Sequence, residues 1–347
     1  MKIGIMTFHW ATNYGAVLQA YALQEYLKSM GHLVEIINYK PKQYDFSWLK
    51  NLQHPRNLIH LDKIIKTRRK EKLLSVFRKK YLQMTDRYYS IKELKEKANG
   101  YDVLISGSDQ ILNPSFTTTG EKGPTSAYYL DFGGKAKKIG YAISFGCVQY
   151  PKSALPFAKK WINNFSAIGV REDTGVNLLA SMNFSGQCDV VPDPTILLGK
   201  ELFKKLNVAK KNSSDRYCLY ILRKKYAISI KDVDVIDDTT NVLSMEKWID
   251  IIINSKGLIT NSYHGMIVAL LNHVPFVVIL ETNHSAGMND RFYTLLKRVK
   301  LENRICNEGD DYSKVFCEDV DWISVDKLLE GFRIEANKFF KYNEVNN

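Results

Sequence analysis

The chain of 347 residues carries 49 Lys and Arg against 37 Asp and Glu, a formal charge of +12. With 45% hydrophobic and 25% charged residues it is globular rather than disordered in composition, and its length favours two domains over one core. The opening MKIGIMTFHW is too short and polar for a signal peptide and no apolar run reaches the length of a membrane span, while Cys147, Cys188, Cys218, Cys306 and Cys317 form no CxxC pair, so free thiols in a reducing cytoplasm and no metal site are expected.

Residues 2–6 (KIGIM) read as an apolar first strand, followed by the polar loop 9–15 (HWATNYG) and a helix over 16–30 that turns Val17, Leu18, Ala20, Tyr21, Leu23 and Leu27 inward. Gly31 and His32 stop it before a second strand at 33–38. This βαβ start lacks GxGxxG and GxxxxGK[ST], so neither a dinucleotide fingerprint nor a P-loop is expected. Residues 63–80 (KIIKTRRKEKLLSVFRKK) form a basic helix, with Ile64, Ile65, Leu73, Leu74, Val76 and Phe77 on part of its circumference. Its cations are either solvated or face an anionic membrane surface. No nucleic-acid partner is expected, because the chain has no zinc-finger, RRM or KH signature.

A short helix at 91–98 and a strand at 101–106 lead into Gly107-Ser108-Asp109-Gln110. An acid there is either a ligand or base position, or the cap of the next short helix. A strand at 138–144, a helix at 156–165 and a strand at 167–170 reach Arg171-Glu172-Asp173-Thr174-Gly175, with a helix over 176–182. Arg171 can grip phosphate or carboxylate bidentately, or pair with Glu172 or Asp173 as structure. Pro192 and Pro194, either side of Asp193, mark a domain edge.

From about residue 200 a second α/β unit begins, with strands at 217–222 and 233–236 and a helix over 245–254 capped by Ser244. Residues 257–280 (GLITNSYHGMIVALLNHVPFVVIL) are its centre. They give a strand at 257–261, a polar corner Asn261-Ser262-Tyr263-His264-Gly265, an apolar helix over 266–271, a stop at Pro275 and a parallel strand at 276–280. In open α/β sheets ligands sit beyond the carboxyl ends of strands, at the starts of the following helices, where Ser262 and His264 lie. Helix-start amides favour an anion, and a histidine beside them can move protons near neutral pH. The plainer alternative makes Ser262 an ordinary N-cap and His264 a solvated first-turn residue. Arg291 opens a helix over 292–299 at the same sheet edge, and a last amphipathic helix over 325–342 is long enough to reach the first domain.

The segments TFHWATNYGAVLQAYALQ, YDVLISGSDQILNP, KKIGYAISFG, VREDTGVNLL, VPDPTILL and TNSYHGMIVALLNHVPFVVI together resemble the polysaccharide pyruvyl transferase family across nearly the whole chain. The resemblance implies an α/β fold of two Rossmann-like domains, GT-B-like, with a cleft between them. It places an acceptor-side domain at 1–198, a donor-side domain at 199–324 and a C-terminal helix at 325–347 packed back on the first. Members move pyruvate from phosphoenolpyruvate onto two hydroxyls of one sugar, forming a cyclic ketal on a cell-surface polysaccharide precursor. By the same resemblance His264 is the acid/base and Arg171 a donor-binding cation; Arg291 is added from its place at a helix start, and Ser262 and Gly265 belong to the same donor corner. Asn13, Tyr14, Gly15 and Ser108 line the acceptor side, with Asp109 able to deprotonate a hydroxyl. No cofactor is implied beyond phosphoenolpyruvate as donor, and the partners are a saccharide acceptor, lipid-linked in many glycan pathways, and the inner face of the membrane, contacted peripherally from the cytoplasm.

Two departures concern the donor. Some members carry arginine where this chain has Ser262, a cation that Arg291 or Arg223 would have to replace. Only about 11 residues separate the strand at 217–222 from the next, short for a helical crossover, so the second domain looks trimmed. A GT-B-like glycosyltransferase using a nucleotide sugar, and a glycan-binding or assembly protein that has lost donor binding, are the competing readings.

Overall fold

The computed structural model describes residues 1–45, 61–117, 125–211, 214–222, 232–237, 242–281 and 286–345. Two parallel sheets organise them. The first has the order β2-β1-β3-β4-β5-β6, from β1 (Lys2–Met6), β2 (Leu33–Ile36), β3 (Val103–Asp109), β4 (Lys137–Ile143), β5 (Ala167–Val170) and β6 (Gln187–Val190). The second has the order β11-β10-β9-β7-β8, from β7 (Tyr217–Ile221), β8 (Val233–Asp237), β9 (Leu258–Thr260), β10 (Phe276–Ile279) and β11 (Ile305–Cys306). Central strands such as β3 and β10 are buried throughout their apolar runs, as parallel strands covered on both faces must be. The link between β7 and β8, with Arg223, lies outside the described residues.

The helices are α1 (Tyr14–Ser29), α2 (Leu61–Tyr81), α3 (Ile91–Lys97), α4 (Pro114–Thr117), α5 (Leu155–Ile162), α6 (Thr174–Ser181), α7 (Pro194–Leu197), α8 (Glu201–Lys205), α9 (Met245–Ile253), α10 (Tyr263–Leu271), α11 (Asp290–Arg298), α12 (Tyr312–Cys317) and α13 (Trp322–Tyr342). Two of them begin earlier than apolar periodicity suggests, because a polar side chain closes the first turn. Asn13 accepts from the Ala16 amide at 3.0 Å, and Ser262 accepts from the Gly265 amide at 3.2 Å.

Helix α2 is not a uniformly solvated basic rod. Lys70, Leu74, Phe77 and Arg78 are buried, spaced as one helix face. Lys70 sits 4.3 Å above the Tyr14 ring, and Arg78 pairs with Glu71 and donates to the His9 carbonyl at 3.3 Å. Both cations therefore belong to the packing, a correction to their expected outward placement.

The two halves share one apolar core, in which Ile3, Val17 and Leu23 join Trp248, Met266 and Leu270. Tyr14 stacks on Trp248 at 5.0 Å and donates its hydroxyl to the Leu243 carbonyl at 2.8 Å. Asp290 of α11 accepts from the Thr174 hydroxyl at 2.6 Å. Helix α13 touches both halves: Phe340 stacks on Tyr141 of β4 at 4.6 Å, and Trp322 stacks on His273 at 4.9 Å. Among the described residues no helix is long and apolar enough to cross a membrane.

Candidate functional site

The site forms where the carboxyl ends of β3, β5 and β9 face one another. At the end of β3 the chain turns sharply: Gly107 has φ of +141°, and a Cβ there would stand 2.1 Å from the Tyr141 carbonyl oxygen, so only glycine fits. The turn aims the Ser108 side chain inward. Its hydroxyl donates to the Ala142 carbonyl at 2.9 Å and accepts from Arg171 Nη2 at 2.5 Å. Ser108 is fully buried and does not face a cavity, so its expected acceptor contact is corrected: it holds an arginine.

Arg171, at the end of β5, is 3% exposed and lies 2.9 Å from Asp193 Oδ2 and 3.6 Å from Asp109 Oδ1. Asp193 caps α7, accepting the Thr195 amide at 2.9 Å and hydroxyl at 2.6 Å on Oδ1. Its other oxygen stands between Arg171 and His264 Nε2, the latter at 3.5 Å. Burial alone would raise the Asp193 pKa, but Arg171, His264 and Thr195 outweigh it and hold this carboxyl well below the usual range. Glu172, whose carboxyl also feels Arg171, goes the other way. Burial raises it, against the opposing pull of Arg171 and of Ser144, whose hydroxyl donates to Oε1 at 2.6 Å. The two buried carboxyls that share the charge of Arg171 thus shift in opposite directions.

His264 arrives from the other half, in the first turn of α10. It is 7% exposed, not the solvated residue of the plainer reading. The imidazole fills the space beside Gly15, where an added Cβ would stand 2.1 Å from Nδ1. Gly15 is therefore a floor for the histidine, not an acceptor contact. Tyr14 is corrected too: it is 1% exposed and locked against Trp248. Ser262 does serve as the N-cap, and this occupies the Gly265 amide, leaving neither as a charged donor grip.

Arg291 lies beyond Tyr263, whose ring has the Arg171 and Arg291 guanidiniums each 5.3 Å from its centre. Asn13, Asp109, Ser262, His264 and Arg291 all line one cavity of about 200 Å³, walled by Phe8, Phe116, Tyr263 and Phe292. Arg171 sits behind this wall. The starts of α1 and α10 both face the cavity, so two helix N-termini add partial positive charge to that of Arg291. Buried polar atoms rarely lack a partner. Here Arg291 Nε lacks a hydrogen bond and His264 Nε2 has only the Asp193 carboxylate at 3.5 Å, and both residues line the cavity. Such an arrangement can bind a compact anion and exchange a proton with it. Among the described residues no group of three His, Cys, Asp or Glu side chains is placed to hold a metal ion.

Sequence reasoning gave no role to Asp193 or Tyr263. The first has a local signal, since Asp193-Pro194-Thr195 is a helix-cap pattern, but the partners of its second oxygen come from elsewhere in the chain.

Gly15→Ala is expected to push the imidazole out of place while leaving the Asn13 cap and α1 intact. Displacement of a reacting group by about 1 Å costs on the order of 100-fold in rate. Turnover measured beside circular dichroism checks this; an active Gly15→Ala protein would show that His264 need not stand there.

No curated protein matches the chain. Among solved structures it is similar to a Listeria monocytogenes protein described as a UDP-N-acetylglucosamine 2-epimerase, with 11% identity over 98% of this chain and 94% of that one and a TM-score of 0.50. It is also similar to UGT89C1 of Arabidopsis thaliana, solved with UDP, at 9% identity over 95% and 94% of the two chains and a TM-score of 0.45. The first likeness, together with the two parallel sheets, supports the GT-B-like, two-Rossmann architecture and says nothing of substrate. A family model described as polysaccharide pyruvyl transferase matches residues 13–283, a span running from the cap of α1 through β10 and containing Asp109, Arg171, Asp193 and His264. The chain belongs to the polysaccharide pyruvyl transferase family and is a transferase.

Proposed function

We propose that the protein transfers pyruvate from phosphoenolpyruvate to a sugar of a cell-surface polysaccharide precursor, closing a cyclic ketal. The observation that carries this reading is the convergence of His264, Arg291, Asp109 and two helix starts on one small cavity. Phosphoenolpyruvate has a carboxylate and an enol oxygen esterified to phosphate. Protonation of its methylene carbon gives an oxocarbenium-like centre; a sugar hydroxyl attacks the carbon, phosphate leaves, and a second hydroxyl closes the ketal. His264 supplies and recovers the proton, and Asp109 accepts one from the attacking hydroxyl. Arg291 and the partial positive charge at the starts of α1 and α10 hold the donor's charges, in place of the arginine that some relatives carry where this chain has Ser262. Arg171 acts from behind, pinned by Asp193 and Ser108 and keeping its charge beside the cavity.

Calorimetry with phosphoenolpyruvate tests the donor. Arg291→Ala is expected to weaken binding by about 10- to 100-fold, the worth of a charge-assisted contact. Equal affinity in that variant removes Arg291 from the site, and binding of a nucleotide sugar instead of phosphoenolpyruvate selects the glycosyltransferase reading.

The reaction needs no metal or other cofactor. Asp232-Val233-Asp234 is a DxD pair at the end of a strand, and Asp234 is taken by Arg216 at 2.7 Å on an outer strand. Activity is therefore expected to survive a chelator; loss restored by magnesium or manganese would contradict this. The acceptor is lipid-linked and the protein meets the inner membrane face weakly through the cations of α2, so it should float with anionic vesicles at low salt and release at high salt. A wild-type protein that never floats would remove the membrane from this account.

A further inference from the structure

Asp193 is fully buried and is not among the residues that line the cavity, yet it faces one that is. Its two carboxylate oxygens have different partners. Oδ1 is committed to the start of α7, where the Thr195 amide and hydroxyl both donate to it, at 2.9 and 2.6 Å. With Oδ1 tied at two points, Oδ2 is held towards Arg171 at 2.9 Å and His264 Nε2 at 3.5 Å. The Arg171 charge favours the ionised carboxylate, and an ionised carboxylate oxygen only accepts. An imidazole nitrogen set against it therefore carries a proton. The reverse ring orientation would set a carbon there and forfeit the contact. At 3.5 Å the contact is long, as hydrogen bonds of catalytic groups often are before substrate binds.

The other nitrogen is placed by α1. An added Cβ at Gly15 would meet Nδ1, Cγ and Cβ of His264 at 2.1, 2.4 and 2.8 Å, so Nδ1 is the ring nitrogen on the α1 side. Asn13 and Ala16, in the same turn as Gly15, line the cavity together with His264. With Nε2 turned to Asp193, Nδ1 is the nitrogen left to meet a bound donor.

We infer that Asp193 is the positioning residue of His264: it holds the imidazole as the Nε2–H tautomer, so that Nδ1 is the nitrogen that exchanges the proton. Where that proton goes rests on the pyruvyl transfer reading; the tautomer does not. In the transfer the Nδ1–H bond of the imidazolium breaks while the enol double bond supplies the electron pair of the new C–H bond at the methylene carbon. The ring is left neutral, its remaining proton on Nε2 against the Asp193 carboxylate. Of the two hydroxyl protons released as the ketal closes, one returns to Nδ1 and the other departs, by way of Asp109, with the phosphate.

Asp193→Asn separates positioning from packing. The Thr195 amide and hydroxyl still need an acceptor, so the asparagine oxygen stays on them and its NH2 group turns to Nε2. A donor then faces Nε2 and drives the ring proton to Nδ1. Arg171 keeps Ser108 at 2.5 Å and Asp109 at 3.6 Å, and a denaturation curve reads what stability is lost. In a serine-protease triad the same exchange leaves the geometry intact and costs about 10⁴-fold in kcat, through the wrong tautomer. Nitrogen-15 NMR of histidine-labelled protein, at a pH where the ring is neutral, reads the tautomer; the His264 signals are those missing in His264→Ala. The expected result is a protonated Nε2 and a bare Nδ1 in the wild type, and the reverse in Asp193→Asn. The kcat of that variant should fall by about 100-fold or more, with the KM for phosphoenolpyruvate little changed. A proton on Nδ1 in the neutral wild type overturns the inference, whether or not the variant folds. So does an Asp193→Asn protein that keeps the Nε2–H tautomer, or one that reverses it and keeps the wild-type kcat. Absence of phosphoenolpyruvate turnover in the wild type sinks the transfer reading alone, because the two tautomer measurements still decide the role of Asp193.

Discussion

His264→Ala is expected to lower turnover by about 10²- to 10⁴-fold, the reach of a positioned acid/base, with the fold intact. The fold should survive because the first turn of α10 is closed by Ser262, not by the histidine, and because Asp193 keeps Arg171 as a partner at 2.9 Å. The rate should fall because among the described residues no other imidazole lines the cavity, and the proposed reaction gives Asp109 the hydroxyl side. Steady-state turnover beside a denaturation curve separates the two effects. Wild-type turnover in this variant would leave His264 a purely structural filler over Gly15.

The largest effect on stability is expected from Arg171→Ala. That change strands the Asp193 carboxylate in a fully buried position, and breaking a buried ion pair from one side costs about 3–5 kcal/mol. Much of the cost comes from the orphaned charge, so the double variant Arg171→Ala, Asp193→Asn should recover a large part of it, asparagine retaining the cap on Thr195. The pH dependence has a definite sign. Asp193 has a depressed folded-state pKa, so its pairing contributes fully above the unfolded value of about 3.9. That contribution is lost as pH falls below this value toward the lower native one, and the gap between wild type and Arg171→Ala should narrow there. Urea midpoints at neutral pH and in the acid range check both statements; a single variant as stable as wild type, or a gap that widens on acidification, would contradict them.

Much of this was legible in the sequence. The run 257–280 announces strand, corner, helix and strand because Pro275 and the apolar spacing leave few other readings, and it points to the corner holding Ser262 and His264. Arg291 was found from its place at a helix start and does line the cavity. Burial and partnership were less visible. Nothing near Tyr14 says that it stacks on Trp248, and nothing near Ser108 says that Arg171 reaches it from the end of another strand. Periodicity reports which face of an element is apolar, not what comes to meet it. For the same reason Lys70 and Arg78 looked solvated, though one covers the Tyr14 ring and the other pairs with Glu71 inside the packing. The edge strands β6 and β11 passed unnoticed: β6 is four residues of mixed polarity and β11 only two, too short for an alternating pattern.

The central claim is the transfer itself, and mass spectrometry of products tests it most directly. Purified protein is incubated with phosphoenolpyruvate and a panel of saccharide acceptors, free and phosphate-linked, in water and in deuterium oxide. The account predicts inorganic phosphate released in step with an acceptor that gains one pyruvate as a ketal. In deuterium oxide that pyruvate should carry one solvent deuterium in its methyl group, delivered when the methylene carbon is protonated, and His264→Ala should form far less of it. Sugar transfer from a nucleotide sugar with phosphoenolpyruvate left untouched would contradict it.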